Sequence, residues 1–218
     1  YLKQHENNPV FWQPWCKESL KKAKELKKPI FLSVGYSSCH WCHVMAHESF
    51  EDKNTANIMN EKFVNIKVDR EERPDLDNVF QKSLAILTGT PGGWPLSMFL
   101  DENAVPFSGG TYFPPKEMYG RPSFINILNQ VSDFYEKNRD KIINQASQIK
   151  NIFKDDQKKS SVIGQNLNSH LEAMIDYVDF EWGGFKGSPK FPQFYIFESF
   201  LHFYKKNKNK KYYDAVKV

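Results

Sequence analysis

Leu20, Ala23 and Leu26 fall on one stripe of Trp15–Lys28 with lysines between them, the spacing of an amphipathic helix. Pro29 stops that helix, and Ile30–Tyr36 (IFLSVGY) follows as a run apolar enough to predict a strand buried on both faces. Ser37-Ser38 offers a cap for a helix starting near Cys39. A short helix fits Asp52–Phe63, with Asp52 as its cap, and Val64–Val68 reads as a strand ending in the charged turn Asp69–Pro74 (DREERP). Asp75–Leu87 is helical, Thr88–Trp94 (TGTPGGW) is a glycine-rich loop, and Pro95–Leu100 and Val105–Phe113 form a hairpin. Pro122 suits a first helical position, and Phe124, Ile127, Leu128, Val131, Phe134 and Tyr135 pattern a helix running towards Phe153. Residues 1–14, rich in Asn, Pro and aromatics, read as an irregular packed arm.

Strands separated by helices require a parallel pair with right-handed crossovers, and the hairpin adds antiparallel strands. The expected fold is therefore α/β: a mixed four-stranded sheet flanked by helices over residues 1–154. Asp155–Gln165 (DDQKKSSVIGQ) reads as a polar linker. Residues 166–218 hold a helix near Asn166–Val178, a glycine-rich loop and an aromatic helix from about Gln193 to Tyr204. Two helices cannot bury such faces by themselves, so this part reads as the start of a second, all-α domain.

Composition narrows the function. The chain of 218 residues is 40% hydrophobic and 26% charged, which excludes wholesale disorder, and no apolar run of membrane-spanning length occurs. The net charge of +4 is local: Lys205–Lys211 (KKNKNKK) holds five lysines and leaves −1 for the rest. A nearly neutral body lacks the footprint of a nucleic-acid binder, and neither nucleic acid nor membrane is expected as a partner. Three cysteines form no disulfide framework, and Cys39 and Cys42 sit three apart, a usage that suits a cytoplasmic protein with one special pair. The chain begins at Tyr1 without a Met, which leaves room for an upstream segment, and nothing in the pattern fixes an oligomeric state.

The chemistry concentrates in Ser38-Cys39-His40-Trp41-Cys42-His43, between a buried strand and a helix. A thiolate attacks disulfides, and a helix N-terminus stabilises one with unpaired amides and a partial positive charge. Cys39 is thus the expected nucleophile, exposed and of lowered pKa. Cys42, one turn on and more shielded, is the expected resolver. His40 tunes Cys39 in this reading, since a neighbouring imidazolium favours the thiolate, and Trp41 is an apolar shield or substrate platform. His43 and His47 share the face of His40 and read as partly exposed packing residues. Thiol chemistry of this kind needs no cofactor and no metal.

Other readings stay open. Cys39–His43 satisfies CxxCH, the haem-attachment pattern, although a preceding buried strand argues against it. Cys39, Cys42, His43 and His47 could hold zinc, but lack the second ligand pair of a structural knuckle. A buried structural thiol pair and a non-catalytic docking module are further alternatives. Trp94-Pro95 opens a strand after glycines, and the expectation is a cis bond facing the cysteines and a docking role for both residues; Gly92 and Gly93 would supply the permissive dihedrals. Asp69, Arg70, Glu71, Glu72 and Arg73 read as a solvated turn with local ion pairs, Asp69 being a candidate neighbour of the cysteines. Cys16 reads as a small packed residue.

Tyr1–Trp15 (YLKQHENNPVFWQPW), Lys28–Val44 (KPIFLSVGYSSCHWCHV), Glu48–Asp52 (ESFED), Phe63–Pro74 (FVNIKVDREERP), Gly92–Pro95 (GGWP) and Gly110–Pro114 (GTYFP) resemble the YyaL-type, or spermatogenesis-associated protein 20, family. The resemblance implies a thioredoxin-like domain followed by a helical toroid similar to sugar epimerases and glycosidases, with Trp182–Pro192 (WGGFKGSPKFP) at its entrance. On that basis residues 166–218 would be the first helices of a truncated toroid. It also implies that Cys39 and Cys42 carry activity on a disulfide-bearing protein or small thiol, or that the domain docks a partner or its own helical domain. Thioredoxins carry a buried Asp six positions before the first cysteine, where this chain has Ser33, whose neutral hydroxyl cannot take that carboxylate's proton-accepting role. Cys16, Pro91 and Lys186 depart from the family's pattern, and Pro91 bears on the loop before GGWP.

Overall fold

The computed structural model describes residues 1–118, 120–159, 167–188, 190 and 193–218. The chain divides into two compact units, Tyr1–Asp155 and Asp156–Val218.

In the first unit the elements run α1 (Lys17–Leu26), β1 (Ile30–Gly35), α2 (His40–Met45), α3 (Lys53–Lys62), β2 (Val64–Asp69), α4 (Pro74–Thr88), β3 (Leu96–Leu100), β4 (Pro106–Gly110), α5 (Phe124–Lys137) and α6 (Arg139–Lys159). The four strands form one mixed sheet in the order β2-β1-β3-β4. β1 is parallel to β2, with Ser33 opposite Lys67 and Gly35 opposite Asp69, and antiparallel to β3; β4 returns antiparallel beside β3. All six residues of β1 are buried, as its unbroken apolar run requires.

Alternation along the strands sends side chains to two cores. On one face Phe31, Phe99 and Phe107 pack with Met45, Phe50, Met59, Phe124 and Leu128. On the other, Ile30, Leu32, Val34, Ile66, Val68 and Met98 meet Ala23 of α1 and Phe80 and Leu84 of α4. Asp52 caps α3, accepting the Thr55 amide at 2.7 Å, and Pro74 opens α4 at a position that needs no amide donor.

Several boundaries differ from the sequence reading. α5 starts at Phe124 behind Ser123, whose hydroxyl accepts the Asn126 amide at 3.2 Å, so Pro122 lies outside the helix. α5 stops at Asn138, and α6 then runs through Lys159, so Asp155–Lys159 is helical rather than linker; 160–165 lie outside the described residues. The N-terminal arm contains a tight turn (Leu2–His5) and lies along β2, where Gln13 N–H donates to Asn65 O at 2.8 Å and Lys67 N–H to Gln13 O at 3.0 Å. It thereby covers an edge that would otherwise present unpaired amides.

The second unit holds α7 (Leu167–Ile175), α8 (Phe194–Asn207) and α9 (Lys210–Lys217) around Leu171, Ile175, Phe200 and Tyr212. Pro189, Phe191 and Pro192 of the expected toroid entrance lie outside the described residues. Among the described residues no helix is long and apolar enough to cross a membrane.

Candidate functional site

β1 ends at Gly35, a short turn follows, and the chain enters α2 through Cys39. Cys39 is itself the cap: its backbone is extended, and its Sγ accepts the Cys42 N–H at 3.2 Å. Ser37 and Ser38 are exposed and do not cap; the Ser37 carbonyl instead meets His43 Nε2 at 2.8 Å. Cys39 and Cys42 are joined by a disulfide, their Cα atoms 5.2 Å apart.

Self-capping changes the expected exposure of Cys39. Its sulfur turns inward over the first helical turn, leaving Cys39 3% and Cys42 1% exposed, so both are covered in the disulfide-linked state. His40 is exposed and stands edge-on to Trp41, with ring centroids 5.7 Å apart. Trp41 is 53% exposed and leans on Tyr112 at 5.1 Å. His47 pairs with Glu51 at 2.8 Å, and His43 is held by Ser37, so neither points to a shared metal with the sulfurs. Cys16 is a free thiol and contacts Ser19 Oγ at 3.2 Å.

Beside the motif opens a cleft of about 810 Å³ whose walls include Trp41, Val44, Glu48, Trp94, Tyr112 and Arg121. Burial and the Glu48 carboxylate push the Tyr112 hydroxyl up to about 12, so it stays protonated and donates to Glu48 at 2.5 Å. The Trp94–Pro95 peptide is cis; Trp94 lines the cleft and Pro95 is buried immediately before β3. Gly92 serves close approach and not dihedral freedom: a methyl there would collide with Gln81 Oε1 and lie 3.2 Å from Leu84. Gln81 also donates to the Gly93 carbonyl at 3.1 Å, tying this loop to α4.

The charged turn after β2 is only partly the solvated one the sequence suggests. Arg73 and Asp75 do form an exposed local pair at 2.7 Å. Asp69 is buried and accepts the Glu71 amide, while the Arg70 guanidinium lies 4.0 Å over the Trp94 ring and 3.4 Å from Asp77. Asp77, also buried, accepts the Trp94 indole N–H at 2.9 Å. Arg70 and Asp77 thus fix the tryptophan that walls the cleft, an arrangement no local pattern announces.

The family model Thioredox_DsbH, described as protein of unknown function DUF255, matches residues 1–154. The chain belongs to this family. Its first unit is thioredoxin-like, with the CxxC pair at disulfide distance between β1 and α2. Curated relatives include an uncharacterised protein B0495.5 of Caenorhabditis elegans, 44% identical over 88% of this chain and 27% of its own length. Spermatogenesis-associated protein 20 of Rattus norvegicus is 40% identical over 88% of this chain and 25% of its own length. The chain therefore spans about a quarter of the length of these relatives. Among solved structures, a DsbH oxidoreductase aligns with a TM-score of 0.43 at 17% identity, covering 59% of this chain and 86% of that one. A thioredoxin from Thermus thermophilus aligns at 0.37 and 23% identity, covering 56% and 87%.

Proposed function

We propose that the first unit is a thiol–disulfide oxidoreductase that works through Cys39 and Cys42 on a disulfide-bearing protein or a small thiol. The observation that carries this reading is the Cys39 sulfur at the mouth of α2, accepting a backbone amide and within bonding reach of Cys42. In the reduced state that amide favours the Cys39 thiolate, the attacking form. His40, next in the chain and exposed, adds to this when protonated. Cys39 attacks a substrate disulfide, Cys42 displaces the bound half, and the substrate leaves as two thiols while the pair closes. Trp41 and Trp94, which both line the cleft, serve as docking surfaces in this reading, with the cis Pro95 setting the course of the chain from Trp94 into β3.

The test is mixed-disulfide trapping. Cys42→Ser should accumulate a covalent adduct with a disulfide substrate, and Cys39→Ser should not; the reverse pattern sinks the assignment. A docking module would instead retain its biological activity in the Cys39→Ser/Cys42→Ser double variant.

A further inference from the structure

Where the N-terminal arm crosses β2 it leaves a second cavity, of about 400 Å³, whose walls include Leu2, His5, Val10, Trp12, Pro14 and Lys67. It shares no lining residue with the cleft beside the cysteines. Most of the wall is apolar, yet it holds two buried groups with unused polar capacity. Lys67 is 3% exposed and donates from Nζ to Ser33 Oγ on the neighbouring strand at 2.8 Å. An ammonium has three such donors, and what otherwise surrounds this one is rings: Phe50 at 4.6 Å, Trp12 at 4.9 Å and Tyr1 at 5.1 Å from ring centre to Nζ. Among the described residues no carboxylate pairs with it. A buried charge is costly unless something opposite stands beside it.

His5 is the second group. It is buried, and Asn8 fixes its tautomer. Asn8 Oδ1 accepts the Trp12 indole N–H at 3.1 Å, so it is an acceptor, and His5 Nδ1, 2.9 Å away, must donate to it. The other ring nitrogen, Nε2, is buried with no hydrogen-bond partner. Lys67 is close enough to help push the His5 pKa down, which sets amine and imidazole within electrostatic reach of each other. The arm and β2 thus bring together two groups that can both be cations and leave both without an anion.

We propose that this cavity binds a small organic carboxylate, its oxygens held by the Lys67 ammonium and His5 Nε2 and its apolar body lying along Leu2, Val10 and Pro14. The site is independent of the oxidoreductase reading. Two donors suit the two oxygens of a carboxylate, whereas a phosphate brings more charge and more acceptors than these apolar walls satisfy. The volume lies at the small end of ligand pockets and suits a molecule of benzoate size. With the site empty, burial holds the Lys67 pKa well below the ordinary lysine range, and a bound anion opposes that shift. Glu6, the carboxylate among the lining residues, is exposed, so its charge works against the ligand without replacing it. The other titratable neighbours are Tyr1 on the arm, His43 on α2 and Asp69 at the end of β2, and each enters the pH profile.

The test titrates the 218-residue chain with benzoate and with 3-methylbutanoate by calorimetry, with benzamide and inorganic phosphate as comparisons. Either carboxylate should bind with a Kd of roughly 0.1–10 mM, the range open to so small a ligand. Carbon NMR of labelled lysines reads the site itself: saturating benzoate should raise the Lys67 midpoint by about one pH unit or more. Lys67→Met should remove that resonance and weaken benzoate by about tenfold or more. His5→Phe should weaken it by less, and Glu6→Gln should tighten it. If Lys67→Met does not fold, the Lys67 midpoint in the parent chain and the His5→Phe affinity carry the test. The proposal is overturned if neither carboxylate binds, if benzamide binds as tightly as benzoate, or if phosphate is preferred to both acids. A Lys67 midpoint that stays put at saturation also overturns it, since the anion would then sit elsewhere.

Discussion

Gly35→Ala probes the crowded point where β1 meets the cysteine pair. The added methyl would collide with Tyr1 Oη and stand 2.7 Å from Cys42 Sγ and 2.9 Å from Tyr1 Cζ. Neither neighbour can swing away, because the Tyr1 side chain is fully buried and Cys42 is 1% exposed. Overpacking a filled core costs about 1–3 kcal/mol, and the lower unfolded-state entropy of Ala returns roughly 0.4–1 kcal/mol. The net loss is on the order of 0.5–2 kcal/mol. For a unit of this size that lowers the melting temperature by roughly 1–8 °C. Urea melts followed by tryptophan fluorescence would measure it, since Trp12, Trp15, Trp41 and Trp94 all lie in the first unit. Tyr1→Phe removes the oxygen that the methyl strikes, so the double variant should recover part of the loss, with a coupling of about 0.5–1.5 kcal/mol. A Gly35→Ala protein as stable as its parent, or a double variant with no coupling, would show that Tyr1 does not pack over Gly35.

Asp77→Ala should cost about 1.5–3 kcal/mol by leaving the Trp94 indole and Arg70 without their buried partner, whereas Asp77→Asn keeps an acceptor for the indole and should cost less; Trp94 emission should shift to the red in the alanine variant only. His5 supplies a pH dependence. Burial, with Lys67 second, lowers its pKa to about 3, so the native state holds it neutral while the unfolded chain protonates it near 6.5. Stability from this residue is complete above about pH 6.5 and is lost as pH falls towards 3. His5→Gln should flatten that part of the urea-midpoint profile, and an unchanged slope would remove His5 as its source.

The sheet was legible because its strands are extreme cases. IFLSVG has no position that tolerates water, so a central strand is the only way to place it, and the proline before Leu96 and the turn at Asp101–Ala104 bracket a hairpin arm. Helix ends were less legible where a tertiary partner decides them. Cys39 caps its own helix, although Ser37 and Ser38 stand nearer the usual chemistry, because the thiol there can reach the Cys42 amide while the serines face solvent. Asn138 ends α5 within an apolar stripe that continues across the break, and periodicity does not register a local turn of backbone.

Lys67 was illegible for a more instructive reason. In Val64–Asp69 (VNIKVD) the polar residues alternate with apolar ones, and alternation ordinarily means one wet face. Here the polar face is also buried, because the arm brings Tyr1, His5 and Trp12 over it and Phe50 closes it from the turn after α2. Those rings come from segments more than fifteen residues away in sequence, so no window along β2 could reveal them. Ser33 was the visible clue: a lone hydroxyl in an otherwise apolar central strand needs a partner, and its register partners across the two pairings are Lys67 on β2 and Ser97 on β3. A polar residue in the middle of a buried strand thus points to the register partners opposite it, and of the two that face Ser33 it is Lys67 whose Nζ donates to its hydroxyl.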